Sequence, residues 1–191
     1  EAVQCFLDVT CEKYKKYVGE FFGTTFKGFF SDETRMIRNT QHRFTEPTVA
    51  FSLNMFERLE ERGIENLNEC LAAAFADEDS PRIHECRWAY WNRVTELYGE
   101  SFYDQLREWA DRNGVIYTGD CFSEESGIIP QMGDYFRMAR PYHMPGLDAL
   151  CAPKQQGRES FKSPKFASSV AHQNEGPVAG RVLCEGPGLL G

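Results

Sequence analysis

The stretch Gly114–Glu125 reads GVIYTGDCFSEE: a glycine, a short apolar run and then acidic residues. The same order recurs in GTTFKGFFSDE at Gly23–Glu33 and in GRVLCE at Gly180–Glu185. In each case the glycine is suited to end a preceding helix, and the apolar run is suited to a buried parallel strand. The pattern therefore predicts helices that alternate with parallel strands, each strand followed by a carboxylate.

The segments around these stretches fit the same alternation. Helices are predicted at 2–22, 52–62, 67–76, 81–112 and 163–174, and strands at 24–31, 115–118, 144–147 and 181–184. Ser80–Pro81 and Ser163–Pro164 are typical helix starts, with a capping hydroxyl followed by proline. Residues 34–50 and most of 122–156 read as loops. The chain is thus expected to be one α/β domain over 1–191, built as part of a parallel (β/α)8 TIM barrel.

Composition excludes several classes of protein. The 191 residues carry a net charge of -8, and the sequence pI of about 5.1 disfavours a nucleic-acid surface. No apolar run approaches the roughly 20 residues of a membrane helix, so no membrane partner is expected. The seven cysteines lack zinc-site spacing, and their odd number favours reduced, buried thiols. Nucleotide-binding loops and metalloprotease or serine-hydrolase motifs are also missing, and no cofactor is required by the sequence.

The carboxylates at the strand ends are the candidate catalytic residues. In a (β/α) barrel these ends face one cleft, so Glu185, Glu33, Glu124 and Glu125 are expected to meet there. Enzymes that cleave a glycosidic bond use two converging carboxyl groups, one of which acts as an acid while the other is ionised. Each residue taken singly is also compatible with an ordinary solvated acid at a strand-to-loop junction.

Four further residues are candidates for substrate contact. Asp120 and Phe122 lie at the end of the second strand, where a carboxylate can bind a hydroxyl and a ring can stack on a sugar. Asp148 follows the apolar piece at 144–147, and His143 precedes it. A packing or structural role remains an alternative for His143.

Four segments resemble bacterial α-L-rhamnosidase-like glycoside hydrolases. They are Glu1–Glu33, Tyr90–Gly119, Met144–Leu150 and Lys165–Gly186, which span most of the chain in order. The resemblance implies a central, incomplete part of a catalytic barrel, about four of its eight strands, within a larger multidomain protein that has accessory β-domains. Such a fragment is expected to be poorly stable and inactive alone.

The same resemblance implies properties of the site. The family's strand-end glutamates correspond to Glu33, to Glu124 or Glu125, and to Glu185. A Ca²⁺-assisted inverting reaction and a periplasmic or extracellular location are implied as well. Two departures, an insertion at 175–180 and the sequence Gly-Pro-Gly at 186–188, leave the substrate undetermined.

The leading hypothesis is therefore a glycoside hydrolase that cleaves a poly- or oligosaccharide, with an α-L-rhamnoside as one candidate. The expected partners are a carbohydrate, the remainder of the barrel and the accessory β-domains. Two alternatives stay open: a carbohydrate-binding barrel without catalysis, and a doubly wound α/β domain that binds another small ligand.

Overall fold

A computed structural model of the chain describes residues 1–36, 50, 55–61, 63, 66–121, 133–148, 162–174 and 182–183. The helices are α1 (Ala2–Phe6), α2 (Glu12–Val18), α3 (Met55–Glu61), α4 (Leu67–Phe75), α5 (Pro81–Tyr98), α6 (Asp104–Arg112), α7 (Tyr135–Ala139) and α8 (Lys162–Gln173). The strands are β1 (Gly28–Thr34), β2 (Ile116–Cys121), β3 (Met144–Pro145), β4 (Leu147–Asp148) and β5 (Val182–Leu183). None of the described helices is long and apolar enough to cross a membrane.

The strands pair in parallel, in the order in which they occur along the chain. β1 pairs with β2 and β2 with β3, while β4 pairs with β5. Gly146 alone separates β3 from β4, and its N–H donates to the carbonyl of Gly119 at 2.8 Å. The prediction of a mixed α/β chain with a parallel sheet is confirmed.

Two long helical stretches each contain one π-helical turn. The turn Leu7–Cys11 joins α1 to α2, and the turn Gly99–Tyr103 joins α5 to α6. Ser80 caps α5 by accepting the N–H of Ile83 at 3.3 Å, as the sequence predicted. Helical structure therefore runs from Ala2 to Phe21 and from Pro81 to Arg112, close to the predicted bounds.

The apolar side chains form two separate cores. The first core lies beside the sheet and contains residues of the turn Leu7–Cys11, α6, β2, α7 and α8. Trp109 is at its centre, 4% exposed, with its ring edge-on to Phe22 and Phe29 and its indole N–H donating to Glu12 at 2.7 Å. The second core lies between α4 and α5 and includes Cys86, Tyr90 and Val94.

Several predicted boundaries were wrong. β1 begins at Gly28 and not at Thr24, because a tight turn follows Gly23, whose φ is +74°. Both β1 and β2 also continue past their predicted ends, so Asp32, Glu33 and Asp120 lie within strands. The short helix α7 was missed, and α8 begins one residue before Ser163.

One ion-pair network ties α7 to α5. Glu96 on α5 accepts from Arg93 at 2.7 Å and from Arg137 on α7 at 3.1 Å. Burial raises the pKa of Glu96, but these two arginines outweigh burial, so that its pKa lies below the ordinary value. The network holds α7 against the long helix at the side of the sheet.

Candidate functional site

A β-bulge interrupts the pairing of β1 with β2 near their carboxyl ends. β1 advances by three residues from Ser31 to Thr34, while β2 advances by two from Gly119 to Cys121. Asp32 and Glu33 on β1 thus stand opposite the one residue Asp120 on β2. Bulges are rare between parallel strands and re-aim side chains, often next to active sites.

Glu33 lies in the left-handed region, with φ at +43°. It is the one described non-glycine residue of the chain with a positive φ. For a residue that carries a Cβ atom, this conformation costs roughly 1–2 kcal/mol. Such strain persists where the surroundings impose it, and it clusters at functional sites.

Asp120 provides the contact that holds this conformation. Its side chain is 2% exposed, and its Oδ1 accepts the backbone N–H of Glu33 at 3.1 Å. A net hydrogen bond contributes about 1 kcal/mol, and losing the partner of a buried polar group costs roughly 1–3 kcal/mol. The hydrogen bond is therefore large enough to balance the strain at Glu33.

The side chain of Glu33 remains partly open to solvent. This side chain is 35% exposed, and its Oε2 lies 3.4 Å from Nη2 of Arg35, whose side chain is 26% exposed. An ion pair at this exposure contributes little to stability. The arrangement leaves a carboxylate accessible to a ligand, next to a guanidinium that can bind oxygen atoms.

A layer of hydroxyl groups lies on the helix-covered face of the same strands. The hydroxyl of Ser31 is 3.2 Å from that of Tyr117 and 3.1 Å from that of Tyr142, and Thr34 is hydrogen-bonded to Tyr103. Burial raises the pKa of all three tyrosines well above the ordinary value. These phenols stay protonated at neutral pH, and they hold the strand ends without acting as bases.

His143 is engaged by protein atoms at both ring nitrogens. Nδ1 accepts the N–H of Tyr117 at 3.0 Å, and Nε2 is 2.8 Å from Oδ1 of Asp111 on α6. The acceptor role of Nδ1 places the ring proton on Nε2, which donates to Asp111. His143 thus connects the sheet to α6 at the level of Tyr117, and the predicted contact with a sugar stays a prediction.

The structure brings together only some of the predicted site residues. Glu33 and Asp120 are neighbours, and Asp148 ends β4 opposite Leu183 of β5, at the carboxyl end of its strand. Four of the predicted residues lie outside the described part of the chain: Phe122, Glu124, Glu125 and Glu185. Their predicted roles stay predictions.

The sequence prediction missed Arg35 and the tyrosine hydroxyls. Arg35 lies in the segment 34–50 that was predicted as a loop, so no strand spacing pointed to its contact with Glu33. Tyr103 gave no signal either, since it lies 69 positions from Thr34 and reads as one more apolar position of a helix.

A calcium site is not formed by the residues that the structure describes. Among them, no group of three or more His, Cys, Asp or Glu side chains could hold a metal ion. The two carboxyl groups of Glu33 and Asp120 fall short of the six to eight oxygen ligands that Ca²⁺ takes. Calcium remains an expectation that rests on the resemblance.

Comparison with known proteins gives a structural likeness and no likeness in sequence. No family model matches the chain, and no curated protein matches it. A solved structure of a rhamnosidase from Novosphingobium sp. PP1Y is similar to it, with a TM-score of 0.61 and 17% identity over 90% of this chain. The match covers 16% of that protein's length, so the chain spans about one sixth of it. At this identity the likeness concerns the fold.

Proposed function

We propose that the chain forms part of the catalytic barrel of a glycoside hydrolase, with Glu33 as one of two catalytic carboxyl groups. The observation that carries this proposal is the accessible Glu33 carboxylate, presented on a strained bulge at the carboxyl end of a parallel strand. Active sites of (β/α) barrels are built at that end of the strands. The structural likeness to a rhamnosidase supports the choice of reaction.

The strand order supports a barrel over a doubly wound sheet. In a barrel, each strand pairs with the strand that follows it in the chain, and the described strands do so from β1 to β3 and from β4 to β5. A doubly wound sheet reverses its order at the ligand-binding crevice, and no reversal occurs among the described strands. The proposed barrel also extends beyond this chain, consistent with the sixth of the rhamnosidase that it matches.

The exposed face of the sheet also supports a larger barrel. Phe30 on β1 is 47% exposed, although both faces of a parallel sheet are normally covered. In the proposed barrel this face turns inward and is filled by side chains from the remaining strands. This exposure supports the rest of the barrel as a proposed partner, while the accessory β-domains and a carbohydrate are proposed from the resemblance alone.

The proposed reaction needs two carboxyl groups. One protonates the glycosidic oxygen as the bond from the anomeric carbon breaks, and the other either removes a proton from the attacking water or attacks the anomeric carbon itself. Glu33 supplies one of these groups in our proposal, and Glu124, Glu125 or Glu185 supplies the other. Arg35, whose Nη2 is 3.4 Å from the Glu33 carboxylate, is placed to bind a sugar hydroxyl beside it.

Hydrolysis of nitrophenyl glycosides by the complete protein that carries this chain tests the proposal. We expect nitrophenol release from at least one glycoside of a panel that includes 4-nitrophenyl α-L-rhamnoside. Glu33→Gln should reduce kcat by about 10²–10⁴-fold, the usual contribution of a catalytic acid or base. Glu85→Gln is the matched control, because Glu85 is 66% exposed on α5 and pairs only with Arg82 among its described contacts.

Each outcome has a distinct meaning. Wild-type turnover by Glu33→Gln would remove Glu33 from the mechanism. Sugar binding measured by calorimetry, without hydrolysis of any glycoside, would favour the carbohydrate-binding alternative.

A further inference from the structure

We propose that Asp120 is the positioning residue for Glu33: its buried carboxyl group holds the β1 bulge and thereby directs the Glu33 side chain out of the tyrosine layer. This role differs from the substrate contact that the sequence suggested for Asp120. Its catalytic consequence rests on the proposed function of Glu33, whereas its structural part does not.

The contacts of β1 show which residue the bulge moves. In a regular strand, Ser31 and Glu33 would face the same side and Thr34 the opposite side. Instead, Ser31 contacts Tyr142 and Thr34 contacts Tyr103, and these two tyrosine rings pack edge to face at 5.6 Å. Ser31 and Thr34 thus share the tyrosine face, three positions apart. The extra residue puts Thr34 where a regular strand would put Glu33.

This exchange matters because of what the tyrosine face could not accept. Tyr103 and Tyr142 are fully buried, at 0% and 1% exposure. An ionised carboxylate placed there would lose its hydration and would have no cation among the described contacts of that layer. Thr34, a short neutral hydroxyl, fits the position. With the bulge, the Glu33 side chain stays 35% exposed and its carboxylate reaches Arg35.

Asp120 is the residue that the bulge depends on. The N–H of Glu33 cannot pair in the regular ladder, because two residues of β1 face one of β2 at this point. Its acceptor is Oδ1 of Asp120 at 3.1 Å. The backbone of Asp120 is fixed in turn, since its carbonyl accepts the hydroxyl of Tyr142 at 3.3 Å. The donor, the acceptor and their support all lie at the strand ends.

Two substitutions separate positioning from direct contact. Asp120→Ala removes the acceptor, so we expect a crystal structure of this variant to show Glu33 at a negative φ with the bulge lost or moved. Asp120→Asn keeps an oxygen at the Oδ1 position and should keep the bulge. In the glycoside assay, Asp120→Ala should lower kcat by about 10²-fold, as a misplaced catalytic group does, with little change in KM. Asp120→Asn should lose much less of its kcat than Asp120→Ala does.

A control and the contrary outcomes complete the test. Asp134→Ala removes an exposed carboxylate that caps α7, and it should leave both φ at Glu33 and kcat unchanged. A bulge that persists in Asp120→Ala would overturn the proposal. So would a loss of kcat in Asp120→Asn as large as that in Asp120→Ala, if Asp120→Asn still has the bulge. If Glu33→Gln keeps full activity, the proposed function fails, while the structures of the Asp120 variants still decide whether Asp120 holds the bulge.

Discussion

The strained backbone at Glu33 leads to a prediction about stability that does not depend on any enzymatic activity. Glu33→Gly and Glu33→Ala both delete the carboxylate and its ion pair with Arg35. They differ in the Cβ atom, which is unfavourable at a φ of +43°. We therefore expect the glycine variant to be the more stable of the two.

The size of the difference follows from two opposing terms. The left-handed conformation costs a residue with a Cβ atom roughly 1–2 kcal/mol, and glycine escapes that cost. Glycine loses about 0.5–1 kcal/mol more conformational entropy on folding than alanine does. The free energy of unfolding of Glu33→Gly should therefore exceed that of Glu33→Ala by about 0.5–1 kcal/mol.

Urea unfolding monitored by tryptophan fluorescence measures this difference. Trp109 is buried beside β1 and reports loss of the core that contains the sheet. With a urea dependence of about 2 kcal/mol per molar, the two midpoints should differ by roughly 0.25–0.5 M. Because the chain alone is expected to be poorly stable, both variants are measured with the same sucrose concentration, which favours the folded state.

The same pair of substitutions at Glu85 provides a control of opposite sign. Glu85 lies inside α5, where glycine is about 1 kcal/mol less favourable than alanine. Glu85→Gly should thus be less stable than Glu85→Ala. If glycine were also the less stable residue at position 33, Glu33 would not adopt a positive φ, and the argument for a strained bulge would be refuted.

Three other outcomes are expected from the described contacts. Ser80→Ala should destabilise the chain by about 1 kcal/mol in urea, because α5 loses its N-cap. Glu96→Gln should destabilise the chain at pH 7 and progressively less toward pH 3. The pKa of Glu96 is lowered in the folded chain, so the stability that its ionised form contributes is present above its unfolded pKa and is lost as the pH falls through its folded pKa. An equal loss of stability at pH 7 and at pH 3 would contradict the ion-pair network. Iodoacetamide at pH 8 should label the exposed Cys5 much faster than Cys11, since burial and the neighbouring Glu12 raise the pKa of Cys11 to about 11. Peptide mass spectrometry compares the labelling of the two thiols. Equal labelling would show that the turn Leu7–Cys11 does not pack as described.

The sequence predicted those parts of the fold that local chemistry decides. Ser80 and Pro81 mark the start of α5 by capping and by a fixed φ, and Gly114 ends α6 with a φ of +63°. Such signals need only a few neighbouring residues. The alternation of helices with parallel strands followed from them and from the apolar runs.

The parts that the sequence did not reveal depend on residues far apart in the chain. The bulge arises from how β1 fits against β2, and a glutamate in place of a glycine gives no warning of a positive φ. Asp120 was recognised as a strand-end acid, but its contact with Glu33 requires the register between two strands that are 87 positions apart. The helix α7 was missed because five residues are too short for a periodic pattern to emerge.

The π-helical turn Gly99–Tyr103 sets the rotational phase between the two cores. α5 contributes to the core shared with α4, whereas α6 contributes to the core beside the sheet. A π-helical turn holds one more residue than an α-helical turn, and each residue of a helix rotates the following side chains by about 100°. Removing one residue from this turn would restore a regular α-helix and swing Leu106 and Trp109 away from the sheet, while α5 stayed in place. We therefore expect no insertion or deletion in this turn among homologous proteins that keep the function, although the turn contains no residue of the proposed catalytic pair.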